Sequence, residues 1–318
     1  MMGVVVKKTI ELTTKEINGI NKLFFDVFGK SRSSESFLNE YLNTPFGYSY
    51  HAMLIEDGEL IGFHSGVPFY YRDGDKEFIA GLGIDTMTAV GHRDFFNVRD
   101  LFKACEEAMK IDGCVLRIGF PNDNSYPVLK KGFKYKDIGK LKTYFLPIKI
   151  GAIKPKLKLF NIFSRLLSRA IIQFSCFSCS QRLYEFRYAK CRESFDSVRY
   201  KWNGGEYKKI EVCDATVRYK VMDFNGVITA FLMDVYPLSK KVFDKVIRRI
   251  YSIEGSKVDM IMYVGYLPFT PYSLITMPHK MEPKHFNFTC KQLVKGSFDD
   301  SIYDIRNWDV NLSNYDLL

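Results

Sequence analysis

A chain of 318 residues, 47% hydrophobic and 15% aromatic, can bury sizeable cores in one large or two medium domains. Its net charge of +10 sits almost entirely in residues 151–192, where nine Lys and Arg face one acidic residue, against 20 and 19 in residues 1–150 and 17 and 16 in residues 193–318. Basicity confined to one segment disfavours a nucleic-acid-binding face spread over a fold, and seven scattered cysteines, an odd count, disfavour a disulfide framework and point to reduced thiols in a cytoplasmic protein.

The opening VVVKKTIEL reads as a first strand, its apolar run being too short for a signal sequence. Helices are expected over 15–28 and 34–42, the second capped by Ser33 or Ser34. HAMLIEDGELIGFHSGVPFYY is a hairpin around Asp57-Gly58. A long strand, EFIAGLGIDTMTAV, leads into GHRDFFNVRDLF and a helix at 97–112, ended by Asp112-Gly113 with Gly suited to the left-handed position. The strand CVLRIGF, a turn and short helix in PNDNSYPVLKKGF, and strands KYKDI and KTYFLPIKI complete the first half.

The basic segment follows. Leu159, Phe163, Leu166, Leu167, Ala170, Ile171 and Phe174 recur at helical spacing, opposite a stripe of Lys158, Asn161, Arg165, Ser168, Arg169 and Gln173. Arg165 and Arg169 at mid-helix argue against a membrane span. A connecting helix packed across both halves is expected; an interfacial membrane helix over 157–179 and a nucleic-acid contact are the alternatives.

The second half repeats the order: a hairpin around Asn225-Gly226, a helix at 238–253 ended by Gly255, the strand VDMIMYVGY, a turn with Pro, and a late strand, HFNFTCKQL. Ile118-Gly119-Phe120 parallels Val264-Gly265-Tyr266. The expected class is α/β with tandem domains, each a mixed, mostly antiparallel sheet flanked by helices. The boundaries fall at 1–150, 151–192 for the basic connecting helix, and 193–318.

Three stretches carry a resemblance to a known family. MLIEDGELIGFHSGV, IDTMTAVGHRDFFNVRDLF and RIGFPNDNSYPVLKKGFKY together resemble the strands, pyrophosphate loop and closing Gly-Phe of a GNAT-type N-acyltransferase over residues 4–148. Residues 195–318 resemble a second, degenerate domain of that kind only weakly. The resemblance implies acetyl-CoA or another acyl-CoA as co-substrate. Met87, Thr88, Ala89 and Val90 would then line the pantetheine through their backbone. The loop Arg93, Asp94, Phe95, Phe96, Asn97, Val98 and Arg99 would wrap the pyrophosphate at a helix N-terminus.

In that family the loop carries two glycines, which let backbone approach phosphate closely; here Phe96 and Val98 stand in their places. Every non-proline residue still offers an N–H, and Arg93 and Arg99 offer charge-assisted bonds. Asp94 opposes an anion, and Asp100 is placed to neutralise Arg99. Altered acyl-CoA binding, a different acyl or aminoacyl donor, and a lost site are all open.

Amide formation from a thioester requires a deprotonated amine and a protonated leaving thiolate. Asp85 and His64 are the candidate bases, each with a structural alternative, and His92 begins the loop. The family's thiolate-protonating Tyr corresponds to Leu129, which leaves Tyr126, one turn earlier, as candidate acid. Asn122, ending the fifth strand, is a further donor or substrate contact or a turn former. Cys176 and Cys179 resemble half a zinc site without a second pair, and Pro283 breaks the helical spacing of His279 and His285. No metal is expected. Asp309 and Asp316 are acidic candidates near the C-terminus.

The resemblance thus implies an N-acyltransferase, transferring an acetyl or other non-aminoacyl group to a small amine or amino sugar held between the halves. One alternative is a non-catalytic binding or scaffolding protein that engages a partner or membrane. The other is an aminoacyl-tRNA-dependent ligase resembling the peptidyltransferases.

Overall fold

The computed structural model describes residues 2–192, 207–278, 280, 282 and 285–315. In chain order its first elements are β1 (Met2–Lys8), α1 (Thr14–Phe28), α2 (Ser34–Leu42), β2 (Tyr50–Glu56), β3 (Glu59–Asp73), β4 (Lys76–Thr88), α3 (Phe95–Ile111) and β5 (Cys114–Gly119). There follow β6 (Lys136–Pro147), α4 (Ile150–Ile153), α5 (Asn161–Phe174), β7 (Tyr188–Lys190), β8 (Lys208–Val212), β9 (Ala215–Phe224) and β10 (Val227–Tyr236). The last are α6 (Lys240–Glu254), β11 (Met260–Gly265), β12 (Ile275–Thr276) and β13 (Phe286–Gln292).

The chain separates into two compact units, neither contiguous in sequence. The first comprises Met1–Gly139, Arg187–Gly205 and Phe286–Asn307; the second comprises Lys140–Phe186, Glu206–His285 and Trp308–Leu318. This division differs from cuts at 150 and 192. The late strand HFNFTCKQL is β13, which pairs with β5 of the first unit, Thr289 opposite Gly119. The basic segment groups mostly with the second unit. KYKDI and KTYFLPIKI, expected as two strands, form the single strand β6.

In the first unit β1, β2, β3 and β4 run antiparallel in that order, and β5 joins β4 in parallel. The β2–β3 turn places Asp57 and Gly58 at φ of 48° and 87°, as a tight hairpin turn demands. Thr13 and Glu16 form a capping box on α1. One sheet face packs on α3 through Leu54, Ile61, Leu101, Cys105 and Met109. Gly66 of β3 and Gly81 of β4 permit this closeness, since a Cβ on either would collide with Met109 or Arg117.

Phe37 and Tyr41 of α2 are wholly buried, and the Tyr41 ring meets that of His51 edge-on, with ring centres 4.7 Å apart. His51 itself bridges Thr9 Oγ1 at 2.8 Å and Ser65 Oγ at 2.9 Å, and burial holds its pKa down to about 3 from 6.5. His64 is depressed by burial as well, and secondarily by Arg117. Both imidazoles stay neutral in the fold but protonate in the unfolded chain below pH 6.5. Their stabilisation is therefore complete above that pH and is lost as pH falls, for His51 down to about 3. The expected slope is about 1.4 kcal/mol per pH unit for each histidine. Thermal unfolding between pH 6.5 and 4.5 should show it, and His51→Gln should remove its share; an unchanged slope would refute the assignment.

The second unit has β8, β9 and β10 antiparallel, β11 parallel to β10, and residues 142–147 of β6 antiparallel to β11. Phe243, Val246, Ile247 and Ile250 of α6 pack against Val217, Tyr219, Leu232 and Ile261. An antiparallel hairpin, a helix and a parallel strand thus occur in both units, as β3–β4–α3–β5 and as β9–β10–α6–β11. The strand entering the helix is irregular each time, between Ile84 and Met87 in β4 and between Leu232 and Asp234 in β10. The Asn225-Gly226 hairpin therefore corresponds to β3–β4, not to the Asp57-Gly58 hairpin that it resembles in sequence.

The basic segment departs most from expectation. Its helical run is broken into α4, a 3₁₀ turn over Pro155–Phe160, and α5. Ser164, Ser168 and Ile172 form the buried side, while Phe163, Leu166, Leu167 and Phe174 are exposed. The reason is a tertiary contact: the Ser164 and Ser168 hydroxyls both donate to Pro147 O at the end of β6, at 2.5 and 2.8 Å.

Candidate functional site

The site begins with the way β4 leaves its neighbours. β4 pairs with β5 only from Ile79 to Leu82, the last partners being Leu82 and Ile118. Beyond them β4 continues to Thr88 alongside β3 only. An irregularity sits there: Ser65 opposes Ile84 and Phe63 opposes Met87, so His64 faces two residues, and Asp85 takes φ of 48°. Ala89 N–H donates to Ile61 O at 2.8 Å. Since peptide groups alternate sides along a strand, the Thr88 N–H and C=O point to the open edge.

A cleft of about 400 Å³ lies along that edge, lined by Thr86, Met87 and Thr88, then Arg93 of the loop, Val98 and Phe102 of α3, and Asn122, Ser125 and Leu129 beyond β5. Asn122 also accepts from Ser125 N at 2.9 Å, so it forms the turn and lines the cleft together. Met87, Thr88, Arg93, Val98 and Asn122 are thus gathered around one cleft. Ala89, Asp94, Phe95, Phe96, Asn97 and Arg99 are not among the lining residues, and Val90 is exposed.

The two loop phenylalanines do not plug the cleft. Phe95 stacks on Phe133 at 5.6 Å and lies over Gly132, where a Cβ would collide with it. Phe96 is exposed, with the Arg99 guanidinium 5.0 Å from its ring centre and Asp100 on that guanidinium at 2.8 Å. Gly91 alone supplies left-handed backbone in the loop, at φ of 93°.

The helix end is partly taken. Asp94 caps α3 by accepting from Asn97 N at 2.9 Å and from Asn97 Nδ2 at 2.5 Å, and the buried Asn97 amide also donates to His92 O. The Phe95 and Phe96 N–H groups, in the first turn, have no carbonyl within the helix to meet. An anion there gains those donors and Arg93 against the Asp94 charge.

The three candidate catalytic side chains are each committed elsewhere. His64 is fully buried and stacks on Phe102 at 3.8 Å. Arg117 Nη2, which can only donate, lies 2.6 Å from His64 Nε2, so the ring proton resides on Nδ1 and is directed at Thr86 Oγ1, 2.8 Å away. With its lone pair occupied and its pKa depressed, His64 orients Thr86 and is not placed as a base. Asp85 accepts from Arg32 Nη1 at 2.6 Å and from Tyr41 OH at 2.7 Å, and it does not line the cleft. The Tyr126 hydroxyl donates to Asp137 at 2.8 Å and accepts from Lys130 at 3.3 Å. Its bond to Asp137 is the main cause raising its pKa, and Leu129, one turn on, fills the cleft position instead.

Sequence reasoning missed Thr86 and Ser125, two of the hydroxyl-bearing residues lining the cleft, and the guanidiniums of Arg32 and Arg117 behind it. The signal for Thr86 was its place beside Asp85 at the strand end. Nothing local marks Arg32, whose partner Asp85 is 53 residues away. Arg32 also bonds Glu40 at 3.0 Å and lies 4.3 Å from the Phe24 ring centre, tying the link between α1 and α2 to β4.

The corresponding helix end in the second unit is covered by its own chain. Lys241 N, in the first turn of α6, donates to Ser180 O, Tyr184 N donates to Leu238 O, and Leu183 bridges Ser239. Among the described residues no group of three or more His, Cys, Asp and Glu is placed to hold a metal. Cys176 and Cys179 are exposed, and His279 and Asp316 lie outside the described residues.

No family model matches the sequence, and no curated protein matches it. Solved structures do match in fold. A protein of Enterococcus faecalis titled a probable N-acyltransferase aligns with TM-score 0.60 at 11% identity, over 92% of this chain and 73% of its own. A GCN5-related N-acetyltransferase from Kribbella flavida aligns with TM-score 0.57 at 10% identity, over 92% and 71%. Eis1 from Mycobacterium abscessus aligns with TM-score 0.51 at 11% identity, over 91% and 74%. The chain has the fold of the GCN5-related N-acetyltransferases.

Proposed function

We propose that the chain is an acyl-CoA-dependent N-acyltransferase whose donor lies in the cleft beside β4, with a small amine or amino sugar as acceptor. The supporting observation is the unpaired edge of β4 from Gly83 to Thr88, which ends at the orphan N–H groups of an α-helix. Amide donors along an extended edge suit a pantetheine arm, and the helix end beside Arg93 suits its pyrophosphate. The acyl thioester supplies an activated carbonyl. The chain contributes orientation through the Thr88 peptide and polarity through the hydroxyls of Thr86 and Ser125. His64 Nδ1–H occupies a Thr86 lone pair, so the Thr86 proton is free to point into the cleft. No carboxylate or imidazole among the described residues lines the cleft, so the amine's proton passes to water or to a group on the acceptor and the leaving thiolate takes a proton from water.

Calorimetry with acetyl-CoA and CoA tests the donor site. Micromolar binding is expected, weakened about tenfold by Arg93→Ala, as loss of a charge-assisted bond predicts. Absence of binding would overturn the proposal. Binding with no thiol release across a panel of amines would favour a second reading, a GNAT-like protein that binds the donor without transfer. The commitment of His64, Asp85 and Tyr126 to other partners is the observation behind that reading.

Asp94→Ser separates two roles of one residue. Serine keeps the cap on α3 and removes the charge beside the anion site. CoA affinity should rise roughly three- to tenfold with little change in melting temperature. Weaker binding would show that Asp94 contributes to the donor site rather than opposing it.

A further inference from the structure

The second unit carries an apolar surface that its described residues leave exposed. On α5, Ile162, Phe163, Leu166 and Phe174 are 70%, 69%, 59% and 67% exposed, and Leu159, just before it, is 89% exposed. This is not an incompletely buried core face. The inward side of the helix is Ser164, Ser168 and Ile172, and its two hydroxyls are satisfied by Pro147 O. Beside the outward face lies an open hollow of about 690 Å³ whose lining includes Pro147, Ile150, Leu157, Phe160, Phe163 and Leu167. A monomeric protein rarely exposes a contiguous apolar area of this kind without a partner.

Charge selects the partner. Lys154, Lys156, Lys158, Arg165 and Arg169 are all exposed. No acidic residue occurs between Ile138 and Tyr184. None of these five cations forms an ion pair among the described residues. Arg165 and Arg169 lie one turn apart on one flank of α5, beside the apolar sector of Ile162, Phe163 and Leu166. An apolar sector with cations on its flank fits the interface of a lipid layer carrying negative headgroups, where the rings and aliphatic chains enter the acyl boundary and the cations stay at headgroup level. No described helix is long and apolar enough to cross a membrane.

We propose that α5 and the turn before it dock the protein flat on an anionic lipid surface. The inference is independent of the donor cleft.

The test is co-sedimentation of the full chain with vesicles of equal parts phosphatidylcholine and phosphatidylserine, and with phosphatidylcholine alone. The wild type should sediment with the anionic vesicles and much less with the neutral ones. Phe163→Asp with Leu166→Asp should reduce binding to the anionic vesicles by roughly a hundredfold, about tenfold for each buried side chain lost. Arg165→Gln with Arg169→Gln should cost roughly tenfold on anionic vesicles and little on neutral ones. Both substitutions are on the exposed surface, and circular dichroism checks the fold. A wild type that stays in the supernatant, or a Phe163/Leu166 variant that sediments equally well, would overturn the proposal. So would light scattering that shows a dimer which the same variant dissociates, since a second copy would then cover the face. Acetyl-CoA calorimetry on these variants should be unchanged, which keeps a failure here distinct from a failure of the donor site.

Discussion

Thr88→Pro should leave the protein folded while lowering kcat/KM for acyl transfer by roughly a hundredfold. The Thr88 N–H points to the side of β4 that β5 has left, so removing it breaks no ladder bond to β3. Proline is tolerated where a strand's N–H faces away from a neighbour. On the proposed function the variant loses an amide that would meet the thioester end of the donor, and loss of one such preorganised donor typically costs a hundred- to a thousandfold in rate. The loss should fall on kcat more than on KM, with the near- and far-ultraviolet circular dichroism preserved. Activity within a factor of a few of wild type would show that the open edge of β4 is not where the acyl group lies.

Arg117→Ala should destabilise the first unit by about 3–5 kcal/mol and lower its melting temperature by roughly 10 °C. Arg117 is wholly buried, with Nη2 on His64 Nε2 at 2.6 Å and on Ser65 O at 3.1 Å, and it lies beside Met109 below Gly66. Truncation leaves a cavity and two buried acceptors without donors, which are separate and additive costs. The substitution also removes the positive charge that helps to depress the His64 pKa. His64 should then titrate nearer neutrality, and its Nε2 becomes free to accept a proton. Nuclear magnetic resonance of the ring protons follows that change directly. An unaltered His64 titration, or a loss below about 1 kcal/mol, would contradict the assigned contacts.

These two cases show which parts of the site sequence could reach. Glycine positions, the Asp57-Gly58 and Asn225-Gly226 turns and the Ser33 cap of α2 act within a few residues, and the structure contains each of them. The strand–loop–helix passage around Arg93 is local too, and Met87, Thr88, Arg93 and Val98 line one cleft together with Asn122. Side-chain roles were less legible. Asp85, His64 and Tyr126 carry suitable chemistry in suitable places, but their partners Arg32, Arg117 and Asp137 lie 53, 53 and 11 residues away. A carboxylate bound to a guanidinium and an imidazole whose lone pair is occupied cannot be recognised from their own neighbourhoods.

The sequence by itself determined the α/β class, the hairpin turns, the confinement of charge to residues 151–192 and the strand-to-helix loop. Each of these depends on backbone preference or on periodicity, which act over a single turn or strand. Only the tertiary structure decided that β13 pairs with β5, that Phe95 stacks on Phe133 and leaves the cleft open, and that α5 turns its serines inward. Those outcomes depend on which distant groups meet. Helical periodicity marked an apolar stripe on α5, but the Pro147 carbonyl, satisfied by Ser164 and Ser168, set which side of the helix faces in.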